Sequence, residues 1–185
     1  MAATIPLAYV DLTQHYPYRP REPRGKQSKL LHPQLGPMMD ATAGTPCCVQ
    51  VSHCFNMAGH PVPAKYPGSW RDAAPVLIDG TVYRYILAVN EMEAWLTSAY
   101  GEGEVLRGAK GRSTPPNKIR AAIKDRPGLI TSWGGKGKFW HTEFWNGARW
   151  LQPDIVDGFL DNPRVVFWDV TPSPPEWLIK YMASQ

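Results

Sequence analysis

The segment Lys138-Phe-Trp-His-Thr-Glu-Phe-Trp-Asn-Gly-Ala-Arg-Trp-Leu-Gln152, KFWHTEFWNGARWLQ, decides the fold class. Asn146-Gly147 sits between two apolar-rich runs. That dipeptide is the strongest short signal for a two-residue hairpin, because both central positions of a type I′ turn need positive φ. KFWHTEFW and ARWLQ are therefore expected to be paired antiparallel strands. With a two-residue loop, Trp145 pairs with Ala148, Glu143 with Trp150 and His141 with Gln152. Along the first strand Phe139, His141, Glu143 and Trp145 share one face, and Trp140, Thr142 and Phe144 the other.

Outward from this hairpin, GLITSW at 128–133, RVVFWDV at 164–170 and TVYRYIL at 81–87 also read as strands. The amino-terminal half carries the helices. In GTPCCVQVSHCFNMAGHP, residues 44–61, Thr45 suits an N-cap, Pro46 suits the first helical position with its fixed φ, and Gly59 suits a left-handed stop. A second helix starts at Asn90, where Asn90 and Glu93 have capping-box spacing, and runs to Gly101; a third covers 117–124. Helices followed by a largely antiparallel sheet make an α+β domain.

The chain of 185 residues is long enough for one buried core, so 1–185 is expected to be one domain: a Pro- and Gly-rich arm at 1–45, a core at 46–170 and a tail at 171–185. No run approaches the roughly 18 apolar residues of a membrane span, and MAATIPLAYVDLTQHY lacks the basic start and apolar centre of a signal peptide. The net charge of +4 suits an anionic partner. The basic residues between Arg107 and Arg126 have no aromatic residue among them, so they read as a solvated surface and not as a nucleic-acid groove.

All three cysteines, Cys47, Cys48 and Cys54, lie within eight positions. They make no disulfide framework, and no second ligand cluster suggests a metal; no cofactor is expected. Cys47, Val51, Cys54 and Ala58 form one apolar helical stripe, whereas Cys48, Ser52 and Phe55 form a mixed face. Cys47 thus faces the packing side from the first helical turn, where free backbone N–H groups and the helix dipole favour a thiolate. Cys54 reads as a small core side chain. Of the five histidines, His141 lies on a strand of the sheet that this helix packs against. A nucleophile at a helix start, a histidine base on the neighbouring sheet and a polar orienter on the next strand make the arrangement of papain-like acyl transfer. The orienter is Gln152, or Asp154 if Pro153 or a bulge shifts the strand. The backbone N–H of Cys47 is a natural oxyanion donor. Trp133, Trp140 or Trp145 would line the substrate groove.

The runs Cys47-Cys-Val-Gln-Val-Ser52, Phe55-Asn-Met-Ala-Gly59-His-Pro61, Tyr85-Ile-Leu-Ala-Val-Asn90-Glu-Met92 and Gly137-Lys-Phe-Trp-His141-Thr-Glu-Phe-Trp-Asn-Gly147 resemble the fourth group of type VI secretion amidase effectors. These are papain-like enzymes related to the NlpC/P60 class. The resemblance covers most of 45–170. It implies an antibacterial cysteine amidase that cuts peptidoglycan stem peptides between γ-D-glutamate and meso-diaminopimelate. It further implies a protein made in the cytoplasm and carried by the type VI apparatus, without a signal peptide, into the target-cell periplasm, and a cognate immunity protein as partner. By position Cys47 would be the nucleophile and His141 the base. The family has an aspartate where Gln152 stands here, which keeps Gln152 and Asp154 both open. A different class of reading is a non-catalytic wall- or glycan-binding module that uses the eight tryptophans and has purely structural cysteines.

Overall fold

The computed structural model describes residues 3–17, 46–108, 114–135, 139–152 and 155–172. In chain order the elements are β1 (Thr4–Ala8), α1 (Tyr9–Thr13), α2 (Pro46–Met57), β2 (Ala74–Ile78), β3 (Thr81–Tyr85), α3 (Val89–Tyr100), β4 (Glu104–Arg107), α4 (Pro116–Ala122), β5 (Pro127–Trp133), β6 (His141–Asn146), a short 3-10 helix (Asp157–Asp161) and β7 (Arg164–Thr171). Most of the arm, including Thr45, and nearly all of the tail lie outside the described residues.

β7 is the middle of the main sheet. β5 runs antiparallel along one of its edges, from Gly128 opposite Asp169 to Trp133 opposite Arg164, and β6 pairs antiparallel beyond β5. The other edge of β7 is shared by β4, antiparallel, and β1, parallel. Both sheet faces are covered, which explains the near-continuous apolar run in RVVFWDV. Leu129, Phe144, Val166 and Trp168 pack against Val51, Cys54 and Phe55 of α2 and Met92 and Leu96 of α3. Ile130, Trp145, Val165 and Phe167 pack with Ile119, Ile123, Phe159 and Leu160 on the opposite side. Arg126 ties the strands together through a two-pronged bond to Asp169 (2.9 and 2.7 Å) and a third to Glu104 (2.8 Å).

The α+β architecture, a helix on a largely antiparallel sheet, is as expected. Several details differ. α2 ends where anticipated: Gly59 takes φ +80°, His60 N donates to Phe55 O (2.9 Å) and Gly59 N to Asn56 O (3.3 Å), the paired bonds of a Schellman stop. α3 begins one residue early, with Ala88 as an N-cap that makes no side-chain bond. The Asn90–Glu93 capping box does not form. Glu93 turns instead to the sheet, where Thr131 Oγ1 (3.2 Å), Trp133 Nε1 (2.7 Å) and the Arg164 guanidinium (2.8 Å) together offer more than one helix amide. The third helix spans Pro116–Ala122 instead of 117–124.

The largest departure is at Asn146-Gly147. Asn146 Oδ1 accepts the N–H groups of both Ala148 (2.9 Å) and Arg149 (2.8 Å), and Asn146 N donates to Arg149 O (3.1 Å). The side chain thereby holds a four-residue loop. Trp145 bridges Trp150 instead of Ala148, and ARWLQ makes no strand beyond that bridge. Two residues further along, this register places Gln152 beside Glu143 and not beside His141. The two-residue hairpin forms elsewhere, at Asp79-Gly80, with φ +48° and +78°, joining β2 and β3 in a separate two-stranded sheet.

α2 is buried on almost every side. Two of its polar residues are taken up by backbone groups: Ser52 Oγ accepts Ile86 N–H (3.0 Å), and Asn56 donates to Arg84 O (2.8 Å) and accepts Val62 N–H (3.0 Å). His53 Nδ1 lies 3.2 Å from the Tyr85 hydroxyl, and burial, aided by His15, holds the ring down at about 4. The unfolded chain therefore binds the extra proton between the ordinary histidine value and about 4, so stability falls as pH drops through that window. Replacing His53 with glutamine should flatten the decline in denaturant midpoint between pH 6.5 and 4; an unchanged slope would assign the acid sensitivity to other groups.

Candidate active site

Cys47 is the second residue of α2, directly after Pro46. All three cysteines are free and buried, so the contrast between an apolar stripe and a mixed face does not separate Cys47 from Cys48. Their neighbours do. Cys47 retains 4% exposure and interacts with His141, whereas Cys48 and Cys54 are fully buried. Cys48 lies towards Tyr66. The Cys54 thiol is pushed well above the ordinary value by burial and by Glu143, which keeps it protonated.

His141 opens β6, the last strand of the sheet, so its side chain meets the start of α2 at the sheet's edge. Its ring lies between Phe139 (centroids 5.1 Å, 24° between planes) and Phe159 (5.0 Å, 67°). Burial works against a charged ring here. Cys47, by charge and hydrogen bonding, and Glu143, in the same two ways, outweigh it and bring the imidazolium up to about 9. Nε2 lies 3.4 Å from Glu143 Oε2, within ion-pair range. Neither ring nitrogen makes a hydrogen bond of tight geometry in this state. Such contacts commonly close up only when substrate arrives.

Glu143 is fully buried, and its carboxyl is raised above the ordinary range chiefly by that burial, against the opposing pull of His141. Its Oε1 accepts the Phe144 N–H (2.9 Å), and its Oε2 accepts the Tyr16 hydroxyl (3.4 Å). The same hydroxyl lies 3.3 Å from Gln50 Oε1, which also accepts from Gln152 Nε2 (3.4 Å), while Gln50 Nε2 donates to Pro17 O (3.3 Å). A continuous polar chain thus runs from His141 through Glu143, Tyr16 and Gln50 to Gln152.

The structure brings Cys47 and His141 together, as the sequence predicts. Gln152 is buried but serves Gln50, and the expected pairing with His141 is lost because the Asn146 loop moves the register. Asp154 lies outside the described residues. Trp133 and Trp140 sit edge to face, 6.0 Å apart; Trp133 donates to Glu93 and Trp140 to Gly135 O (3.1 Å). Trp133 lines a cavity of about 620 Å³ with Asn90, Glu93, Thr97 and Arg164, and Trp140 does not. Trp145 is core: it is buried, and its Nε1 donates to Ile123 O (2.8 Å). Sequence reasoning missed Glu143, Tyr16 and Gln50 as parts of the site. The alternation that puts Glu143 on the face of His141 was the one available signal. Among the described residues no group of three His, Cys, Asp or Glu is placed to hold a metal, and no helix is long and apolar enough to cross a membrane.

No family model matches the sequence, and no curated protein does. Solved structures are similar in fold. Tae4 from Salmonella typhimurium, in the effector–immunity system Tae4/Tai4, superposes with a TM-score of 0.64 at 17% identity, covering 90% of this chain and 99% of the other. The type VI effector Tae4 from Enterobacter cloacae gives 0.61 at 22% identity, over 92% and 100%. The type VI effector–immunity complex Tae4–Tai4 from Enterobacter cloacae gives 0.59 at 19%, over 90% and 100%. From β1 to β7, in agreement with the resemblance its motifs carry, the chain has the papain-like fold of the Tae4 effectors.

Proposed function

We propose that this protein is an antibacterial cysteine amidase of the type VI effector class that hydrolyses peptidoglycan stem peptides at the γ-D-glutamyl–meso-diaminopimelate bond. The observation that carries the proposal is the meeting of Cys47, at the start of a buried helix, with a His141 ring whose proton is held by Cys47 and Glu143. The likeness to Tae4 structures supports the class.

In this reading the pair rests as thiolate and imidazolium. Cys47 Sγ attacks the amide carbon, and the electron pair of the C=O moves to oxygen, where the Cys47 N–H stabilises it. Collapse breaks the C–N bond while His141 gives its proton to the leaving amine. His141, now neutral, takes a proton from water, whose oxygen displaces the thiolate from the thioester. Trp133 and Trp140 are assigned to the groove wall. The partners in this account are the stem peptide, the secretion apparatus and an immunity protein that covers the site. Delivery ends in the periplasm of the target cell.

The test is digestion of purified diaminopimelate-type peptidoglycan followed by mass analysis. The expected products carry a free γ-carboxyl on D-glutamate and a new amine on diaminopimelate. Sedimentation with the wall without cleavage would point instead to the binding module, and cleavage elsewhere in the stem would overturn the assigned bond.

A further inference from the structure

We propose that Glu143 is a residue that positions His141 in this enzyme, in place of Gln152, and that Tyr16, Gln50 and Gln152 hold Glu143 in position. This inference rests on the amidase reading only for its catalytic consequence. Three observations carry it.

The first is distance and partnership. Glu143 Oε2 lies 3.4 Å from His141 Nε2, and among the described residues His141 is the only cationic side chain paired with this carboxylate. A fully buried carboxylate with no counter-charge is strongly destabilising, so its ion pair with His141 is what makes a charge tolerable there. The second is displacement of Gln152 among the described residues. Gln152 donates to Gln50 at 3.4 Å, and the bridge of Trp145 with Trp150 moves it two residues from the position opposite His141. A neutral amide also supports an imidazolium less than a carboxylate does. The third is the second layer. Phe144 N–H donates to Oε1, and the single Tyr16 hydroxyl proton is shared between Glu143 Oε2 and Gln50 Oε1, with Gln50 itself tied to Gln152 and Pro17 O. Positioning groups that are themselves held by such outer bonds keep a ring in one orientation.

Among the described residues the groups that face the pair can be named element by element. α1 supplies Tyr9 and the segment after it Tyr16; α2 supplies Cys47, Gln50 and Cys54; β5 places Ile130 opposite Glu143 and Ser132 opposite His141; Phe139 and Phe159 flank the ring. Only Cys47, Cys54, Tyr9 and Tyr16 among these titrate. Burial raises Tyr9, Tyr16 and Cys54 out of the neutral range, so among the described residues Glu143 and Cys47 are the charges that set the state of His141.

The test compares Glu143→Gln with Gln152→Ala in the full chain, reading the His141 titration by NMR with labelled histidine, the pH profile of Cys47 alkylation and, on peptidoglycan, kcat against KM. In Glu143→Gln the His141 titration and the alkaline limb of alkylation should move down by about 1–3 pH units, the range for losing an opposite charge at this distance. In the same variant kcat should fall between ~10²- and 10⁴-fold with KM little changed. Gln152→Ala should leave the limb where it is. An unshifted limb in Glu143→Gln, or an equal shift in Gln152→Ala, would overturn the assignment. Should Glu143→Gln fail to fold, Cys47→Ala isolates the carboxylate: with the thiolate gone, His141 should still titrate above the ordinary histidine value despite its burial, and a value below it sinks the proposal. The titration and alkylation arms need no wall substrate. A shifted limb in a protein that does not cut peptidoglycan would therefore sustain Glu143 and reject the amidase reading.

Discussion

Replacing Cys47 with alanine is expected to remove amidase activity on peptidoglycan by roughly 10⁴- to 10⁶-fold, the loss seen when a covalent nucleophile is deleted and only binding and oxyanion stabilisation remain. The fold should survive, because the change removes one sulfur from a single small side chain at the start of α2. Cys48→Ala and Cys54→Ala should do the reverse. Both thiols are completely enclosed, so their removal opens small voids and lowers stability while leaving the reacting pair in place. Measuring release of stem fragments beside the thermal midpoint for all three variants separates the roles. Comparable activity loss in Cys48→Ala would mean that the wrong thiol has been assigned.

The largest expected effect on stability lies far from the cysteines, at Gly128. This residue of β5 sits opposite both Trp145 and Asp169, and a Cβ there would press into the Phe167 ring and lie 2.5 Å from the Trp168 carbonyl oxygen. Neither neighbour can yield cheaply: Phe167 and Trp168 are fully buried on opposite faces of the central strand. Gly128→Ala should therefore cost about 3 kcal/mol or more through overpacking. For a chain of this size that lowers the melting temperature by roughly 6–12 °C. A melting temperature within a degree or two of wild type would show that β5 and β7 are further apart than the structure places them.

The parts of the fold legible in the sequence are those whose signals are local. Pro46 and Gly59 mark the ends of α2 through their own backbone preferences, and the spacing of apolar residues finds β5, β6 and β7. β1 and β4 were not legible. Each is a short strand on the far edge of β7, β1 with a proline inside it, and each exists because β7 offers an unpaired edge. The Asn-Gly rule is sound, but it was met at Asp79-Gly80. At Asn146 the side chain captured two amides and lengthened the loop, a choice that depends on one rotamer and not on the dipeptide.

The candidate site divides along the same line. Cys47 and His141 could be found because a helix start and a strand position are each local features. Their orienter could not be chosen, because that required the hairpin register, which the Asn146 loop displaced by two residues. Glu143 already stood on the face of His141 by simple alternation. Its role became visible only with its burial, its 3.4 Å approach to the ring and the Tyr16–Gln50 tether, which draws on the chain before α2 and is invisible to any local pattern.

The central claim is that Cys47 and His141 form a reactive pair, and the most direct test is competitive alkylation by iodoacetamide at mildly acidic pH, with the modified thiol mapped by mass spectrometry. Cys47 should be labelled far ahead of Cys48 and Cys54, and the preference should disappear in His141→Ala. Equal labelling of the three thiols, or a preference for Cys47 that persists without His141, would contradict the account.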